Sequence, residues 1–191
     1  NYIKKEIIDN PEFTDKTVFK FKLDDNWNLD KAYVDNLKKS YSGLWYKRFI
    51  EGEWVSGEGA IYDMFCDDFI VERDKSEFIR WFVGIDYGTS NPCVYLLIGE
   101  DKDKRYHVFD EFYYDSSITN KQLTNAEYAK RLKGFIEGVK PTAIYVDPSA
   151  LSFKLEIQRH KIHALDANND VLSGIQKVSM WFSQNKLTVS P

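Results

Sequence analysis

Two segments of this chain each run β-branched and aromatic residues straight into an aspartate and then into chain-breaking residues. They are WFVGIDYGTS over 81–90 and, about sixty residues further on, TAIYVDPSA. An ionised carboxylate beside FVGI is costly to desolvate unless a cation or several N–H donors meet it. A strand end fixes a side chain better than a loop does. Asp86 and Asp147 are therefore candidates to share a divalent ion, which needs hard oxygen ligands converging at roughly 2.0–2.1 Å for Mg²⁺. Each also has a purely structural reading. Asp86 can open an Asx turn with Tyr87 and Gly88, and Asp147, followed by Pro148 and Ser149, can end a strand and cap a helix. Two such acids at strand ends of one sheet favour the shared metal.

The surrounding pattern sets the fold class. RWFVGIDYG, PCVYLLIGED and KRYHVFDEFYYD are successive strands joined by short polar turns, which makes them antiparallel neighbours. Thr124 and Glu127 then form a capping box, with Ala129, Leu132 and Ile136 as the buried stripe of a helix ended by Gly138 and Pro141. TAIYVD reads as a strand covered on both faces. A helix from about Ala150 to Arg159, a strand at IHALDA and a last helix from near Asp170 follow, the last burying Val171, Ile175, Val178 and Phe182. The order βββαβαβα predicts an α/β fold: a mixed sheet with helices on its faces and functional groups at its strand ends.

Before residue 80 the chain reads as an appendage. It has a strand at TVFKFKL, a helix opening near Asn28 that carries Leu29, Tyr33, Val34, Leu37 and Tyr41 and stops at Gly43, and a short helix at LWYKRFI. CDDFIVERDKSE is a charged connector. Composition adds exclusions. With 191 residues, 43% of them hydrophobic, the chain can close one full core, and its net charge of −4 argues against a uniformly basic nucleic-acid coat. Cys66 and Cys93 lack CxxC spacing and read as reduced core thiols. No apolar run approaches the roughly 20 residues of a membrane span, and the start, NYIKKEIIDN, has no signal-peptide pattern, so the expectation is a soluble, cytosolic protein.

A working metal site needs a further acid. Asp170 in ANNDVL is the best candidate, although an aspartate in a first helical turn is also favoured by the helix dipole. Glu111 fits an exposed strand face better than a ligand position, and Asp166 is weaker still. His107, His160 and His163 do not match metal-ligand spacing with the aspartates. Lys130, Arg131 and Lys133, and Lys154, Arg159 and Lys161, could line a phosphate-binding face or simply a solvated helix exterior.

Taken together, FVGIDYGTSNPCVYLLIG, YHVFDEFYYD, AIYVDPSA and NNDVLSGIQKVS resemble the C-terminal nuclease domain of the large terminase subunit of tailed bacteriophages. Upstream, DDNWNLDKAYVDNLKKSYSGLWYKRFIEGEWVSGEGAIYDMF, with its GEW tripeptide and G-x-x-Y pattern, resembles the segment leading out of that family's ATPase motor. The resemblance implies an RNase H-like fold, a linker over 1–79 and a nuclease domain over 80–191. It also implies a metal-dependent endonuclease using two Mg²⁺ or Mn²⁺ ions to cut concatemeric double-stranded DNA in the host cytoplasm. Asp86 and Asp147 match the family's first two catalytic aspartates, and the terminase small subunit and the portal protein are the implied partners. Two departures stand out. The family usually carries its third metal-binding acid, often beside a histidine, in a segment of the D-H-x-x-D-A kind, and none occurs in this sequence, which puts the completeness of the site and the role of Asp170 at issue; nor does a G-x-x-x-x-G-K-[ST] loop mark an ATP-driven motor.

Two other classes remain open at this point. DYGTSN also resembles the first phosphate motif of the actin, Hsp70 and sugar-kinase superfamily, although Pro148 and Ser149 stand where its second motif needs Asp-x-Gly. A non-catalytic docking module built on the aromatic segment between Trp45 and Phe65 predicts indifference to metal and DNA. Holliday-junction resolvases share a related sheet but space their acids differently.

Overall fold

The computed structural model describes residues 2–41, 43–54, 61–89 and 91–191. In chain order the α-helices are α1 (Lys31–Ser40), α2 (Gly43–Phe49), α3 (Ser116–Thr119), α4 (Asn125–Phe135), α5 (Leu151–Arg159) and α6 (Val171–Ser183). The strands are β1 (Phe78–Asp86), β2 (Cys93–Asp101), β3 (Tyr106–Tyr114), β4 (Ala143–Val146), β5 (Leu165–Asp166) and β6 (Leu187–Val189). By their contacts they form two compact units: one of residues 1–65 with 171–184, the other of 66–170 with 185–191.

In the first unit the Asp30 carboxylate accepts a hydrogen bond from the Tyr33 N–H and starts α1, two residues later than the apolar spacing suggests. Gly43, at φ +53°, begins α2 rather than merely ending α1; an added Cβ there would lie 2.2 Å from the Asp63 carboxylate. Trp45 stacks on Phe49, and Ile50 is buried. TVFKFKL is not a strand. Residues 17–22 take no regular structure, and Phe19 and Phe21 are exposed. In α6 Phe182 packs on Tyr62 and Phe65, but Val171, expected inside, is exposed. Of GEWVSGEGAIYDMF, residues 55–60 lie outside the described residues, as does Ser90 of DYGTSN.

The second unit is built on a six-stranded sheet in the order β5-β4-β1-β2-β3-β6. The antiparallel meander β1-β2-β3 is its centre, β4 and β5 extend it in parallel beyond β1, and β6 adds in parallel to β3. Alternation sorts the side chains. Val83 and Ile85 of β1, Tyr95 and Leu97 of β2, and Ile144 and Val146 of β4 face one core with Tyr128, Ala129 and Leu132 of α4 and Phe153 and Ile157 of α5. Truncating a fully buried member such as Leu132 to alanine should cost about 2–5 kcal/mol. The capping box forms as the sequence predicts: the Thr124 hydroxyl accepts from the Glu127 N–H, and the Glu127 carboxylate accepts from the Thr124 N–H. One extra residue, Phe109, bulges from β3 beside the Leu97/Ile98 step and joins Phe78 and Trp81.

Three sequence expectations are corrected here. β4 is not covered on both faces, since Tyr145 is 39% exposed. Cys93 is a buried thiol but Cys66 is exposed. β6, only three residues long, follows α6 where no strand is predicted.

Candidate metal centre

Asp86 closes β1, whose Ile85 is paired with Val146 in the parallel β1–β4 ladder. Asp147 is the residue after Val146, so the two aspartates leave adjacent strands side by side at the same end of the sheet. Neighbouring strands lie about 4.8 Å apart, within the span of two carboxylates sharing an ion. The period of two then fixes their side. Ile85 and Val146 point into the α4–α5 core, so Asp86 and Asp147 both project from the opposite face, with Gly84 and Tyr145 beneath them.

The backbone on either side of Asp86 is tightly held. Tyr87 stacks on Phe153 at 4.5 Å with a 5° interplanar angle, meets Tyr128 edge-on, and gives its hydroxyl proton to Asn125 Oδ1. A Cβ at Gly88 would lie 2.5 Å from the Asn91 carbonyl oxygen, so the turn into β2 closes only on glycine. Neither anchor stood out in the sequence, where Tyr87 and Gly88 read as turn residues.

Asp147 is held from two directions. Its Oδ1 accepts from the Ser149 N–H at 2.7 Å and from the Ser149 hydroxyl, and its Oδ2 accepts from Asn169 Nδ2 at 2.7 Å. The Ser149 hydroxyl, the Ser149 N–H and then the Asn169 amide keep the Asp147 carboxyl below the usual carboxylate range. Asp147 thus makes a local turn with Ser149 but not the helix cap expected of it, since the N-cap of α5 falls on Ala150. Among the described residues no Lys or Arg forms an ion pair with Asp86 or Asp147.

The other sequence candidates are scattered. Asp170 follows Asn169 directly and precedes α6, and its N–H donates to Asn168 Oδ1. Asp166, across from Val146, sits on the α5 side of the sheet, where Lys154 Nζ meets it at 2.6 Å. Glu111 is exposed, level with Leu96 and Gly84 on the Asp86 face but two strands away. His107 is buried at the far end of the sheet, and His160 and His163 are exposed. Of the basic clusters, Lys154 is engaged by Asp166 and the Pro148 carbonyl, Arg159 pairs with Glu156, and Arg131 lies over Phe112 and Tyr114. Among the described residues no three His, Cys, Asp or Glu side chains gather as a cage. The adjacent pair Asp86 and Asp147, neither of them in an ion pair among the described residues, fits two ligands of a divalent ion.

Comparison with known proteins adds lineage to this geometry. No family model matches the chain. Over 175 residues it is 25% identical to the large terminase subunit of Escherichia phage T5, taking in 86% of this chain and 39% of that protein. The large terminase of the thermophilic bacteriophage D6E matches with a TM-score of 0.77 and 33% identity over 99% of this chain and 48% of that one. The chain is a homologue of the large terminase subunit. It spans less than half the length of these two relatives. The P22 large terminase nuclease domain shares the fold, with a TM-score of 0.53 at 13% identity over 70% of this chain and 73% of that domain. The six-stranded mixed sheet with its helices is thus RNase H-like.

Proposed function

We propose that this chain is the DNA-cutting part of a phage packaging enzyme, a metal-dependent endonuclease acting on concatemeric double-stranded DNA with little sequence specificity. One observation carries the reading: two aspartates leave adjacent parallel strands on one face of an RNase H-like sheet, and among the described residues neither is in an ion pair with a lysine or arginine. Asp86 and Asp147 hold Mg²⁺ or Mn²⁺; Asp170, next to the Asn169 that touches Asp147, would join as the further ligand only on a rearrangement, since no three such side chains gather among the described residues. The chemistry such a pair of ions supplies is activation of a water and neutralisation of charge at the scissile phosphate. The chain's own work is placement. Tyr87, wedged between α4 and α5, fixes the end of β1, while Ser149 and Asn169 fix the Asp147 carboxylate. The aspartates bind; they do not serve as the base.

By the same resemblance, residues 1–79 lead in from a motor domain and 80–191 cut. The terminase small subunit and the portal protein are partners, and the host cytoplasm is the setting. No described helix is long and apolar enough to cross a membrane. Plasmid cleavage in Mg²⁺ or Mn²⁺ tests the reading. Asp86→Ala and Asp147→Ala should each abolish cutting, and full activity in either removes that residue from the mechanism. Because phosphate contacts dominate non-specific binding, the rate should fall as salt rises; a rate flat from low to moderate ionic strength contradicts the DNA contact proposed.

A further inference from the structure

We propose that Asn169 is a positioning residue for Asp147, so that the described residues leave that carboxylate a single free lone pair, on Oδ2, for a cation. The inference rests on the reading of Asp147 as a metal ligand. A carboxylate offers about four lone-pair sites, two on each oxygen. On Oδ1 both are taken, by the N–H and the hydroxyl of Ser149. On Oδ2 one is taken, by Asn169 Nδ2 at 2.7 Å. Facing an ionised acid, the asparagine must present its NH₂ and not its carbonyl, so the bond has one sense. What remains favours one-oxygen ligation, and a second oxygen could bind only by displacing Ser149.

The two supports differ in kind. Ser149 acts from two residues away and is a local turn, whereas Asn169 reaches across from the segment leaving β5, 22 residues along the chain. Only the second ties the carboxylate to another part of the sheet. Partners that orient a metal's ligands typically carry a 10–100-fold share of its affinity. Asn169 is exposed, so its loss should leave the fold intact.

The test is calorimetric titration of the chain with Mn²⁺, together with plasmid cleavage against Mn²⁺ concentration, for wild type, Asp147→Ala, Asn169→Leu and Asn169→Gln. Asn169→Leu keeps the size but not the donor. It should weaken Mn²⁺ binding about 10–100-fold and raise the half-saturating Mn²⁺ for cleavage by a like factor, with a smaller change in rate at saturating metal. Asn169→Gln, which keeps an amide donor, should recover part of the loss, and thermal midpoints should match wild type. If Asn169→Leu binds Mn²⁺ within about twofold of wild type while Asp147→Ala does not bind, Asn169 has no positioning role and the reading of Asp147 stands. If Asp147→Ala binds like wild type, the metal reading falls and takes this proposal with it.

Discussion

At one end of β1 and β2, Glu100 and Asp101 are 2% and 5% exposed, and each meets an arginine: Arg80 at 2.5 Å and Arg73 at 3.1 Å. His107 completes that end. Ser190 gives its hydroxyl proton to the Phe109 carbonyl at 2.9 Å, so Ser190 Oγ accepts from His107 Nε2–H, and Nδ1 accepts from the Thr188 hydroxyl. At the other end of the same strands, Asp86 and Asp147 sit adjacent with no arginine or lysine in an ion pair among the described residues. One end has its buried acids paired with arginines, while the other holds its acids at the surface, Asp147 by hydrogen bonds from Ser149 and Asn169 and neither acid by an ion pair. Charge taken out of water needs a partner, as Glu100 and Asp101 have, whereas Asp86 and Asp147 stay in reach of solvent and so of a cation from outside.

That contrast can be broken by substitution. The largest effect should be on activity: Asp86→Asn and Asp147→Asn should each lower plasmid cleavage by at least about 100-fold, since a lost ligand outweighs a lost supporting partner. Urea unfolding of Asp86→Asn should shift by no more than about 0.5 kcal/mol, because no ion pair is lost, whereas Asp147→Asn also gives up the charge that the bonds from Ser149 and Asn169 favour. The opposite end should show the reverse. Arg80→Ala strands Glu100 and should cost about 2 kcal/mol of stability while leaving metal binding unchanged.

Backbone variants sharpen the same comparison. An added Cβ at Gly99 would meet the buried Phe78 ring at 2.5 Å, so Gly99→Ala should destabilise by about 1–3 kcal/mol in a thermal melt. The pH effect should be milder. Burial, then the nearby Arg73 charge, hold His107 below its ordinary value of 6.5. The unfolded chain therefore takes up a proton that the folded one refuses, and stability should fall as pH drops from 6.5 towards the lowered folded value. His107→Gln should flatten that part of the urea midpoint-versus-pH curve. The smallest effect belongs to Gly84, under the aspartates, where a Cβ meets nothing within 4 Å; Gly84→Ala should change stability by no more than a few tenths of a kcal/mol.

Much of this architecture is legible in the residues because local rules and tertiary demands agree. The meander from Phe78 to Tyr114, the capping box at Thr124 and Glu127, and the strand entering Asp147 all fall where period and punctuation place them. The failures share one cause. TVFKFKL alternates like a strand, but alternation does not supply a partner, and none of the described strands pairs with it. LTV is too short to announce itself, yet becomes β6 because β3 offers it an edge and His107 bonds its Thr188. Val171 fits the helical stripe but lies at the first residue of α6 and stays in solvent. At the candidate site, the two aspartates are visible as strand-end acids. Asn169 is not, since an exposed asparagine in ANNDVL carries no mark of the carboxylate it reaches.

The β1–β4 pairing also orders events in time. The hairpins of β1, β2 and β3 close over short loops and can form early, whereas β4 reaches β1 only after some sixty residues have been made and gathered in. Thr142 N–H donating to the Trp81 carbonyl at 2.7 Å marks that late docking. Until it occurs, Asp86 stands alone, so a nascent or half-folded chain holds one acid and not two. A metal site of the kind proposed would therefore be complete only once β4 has docked on β1.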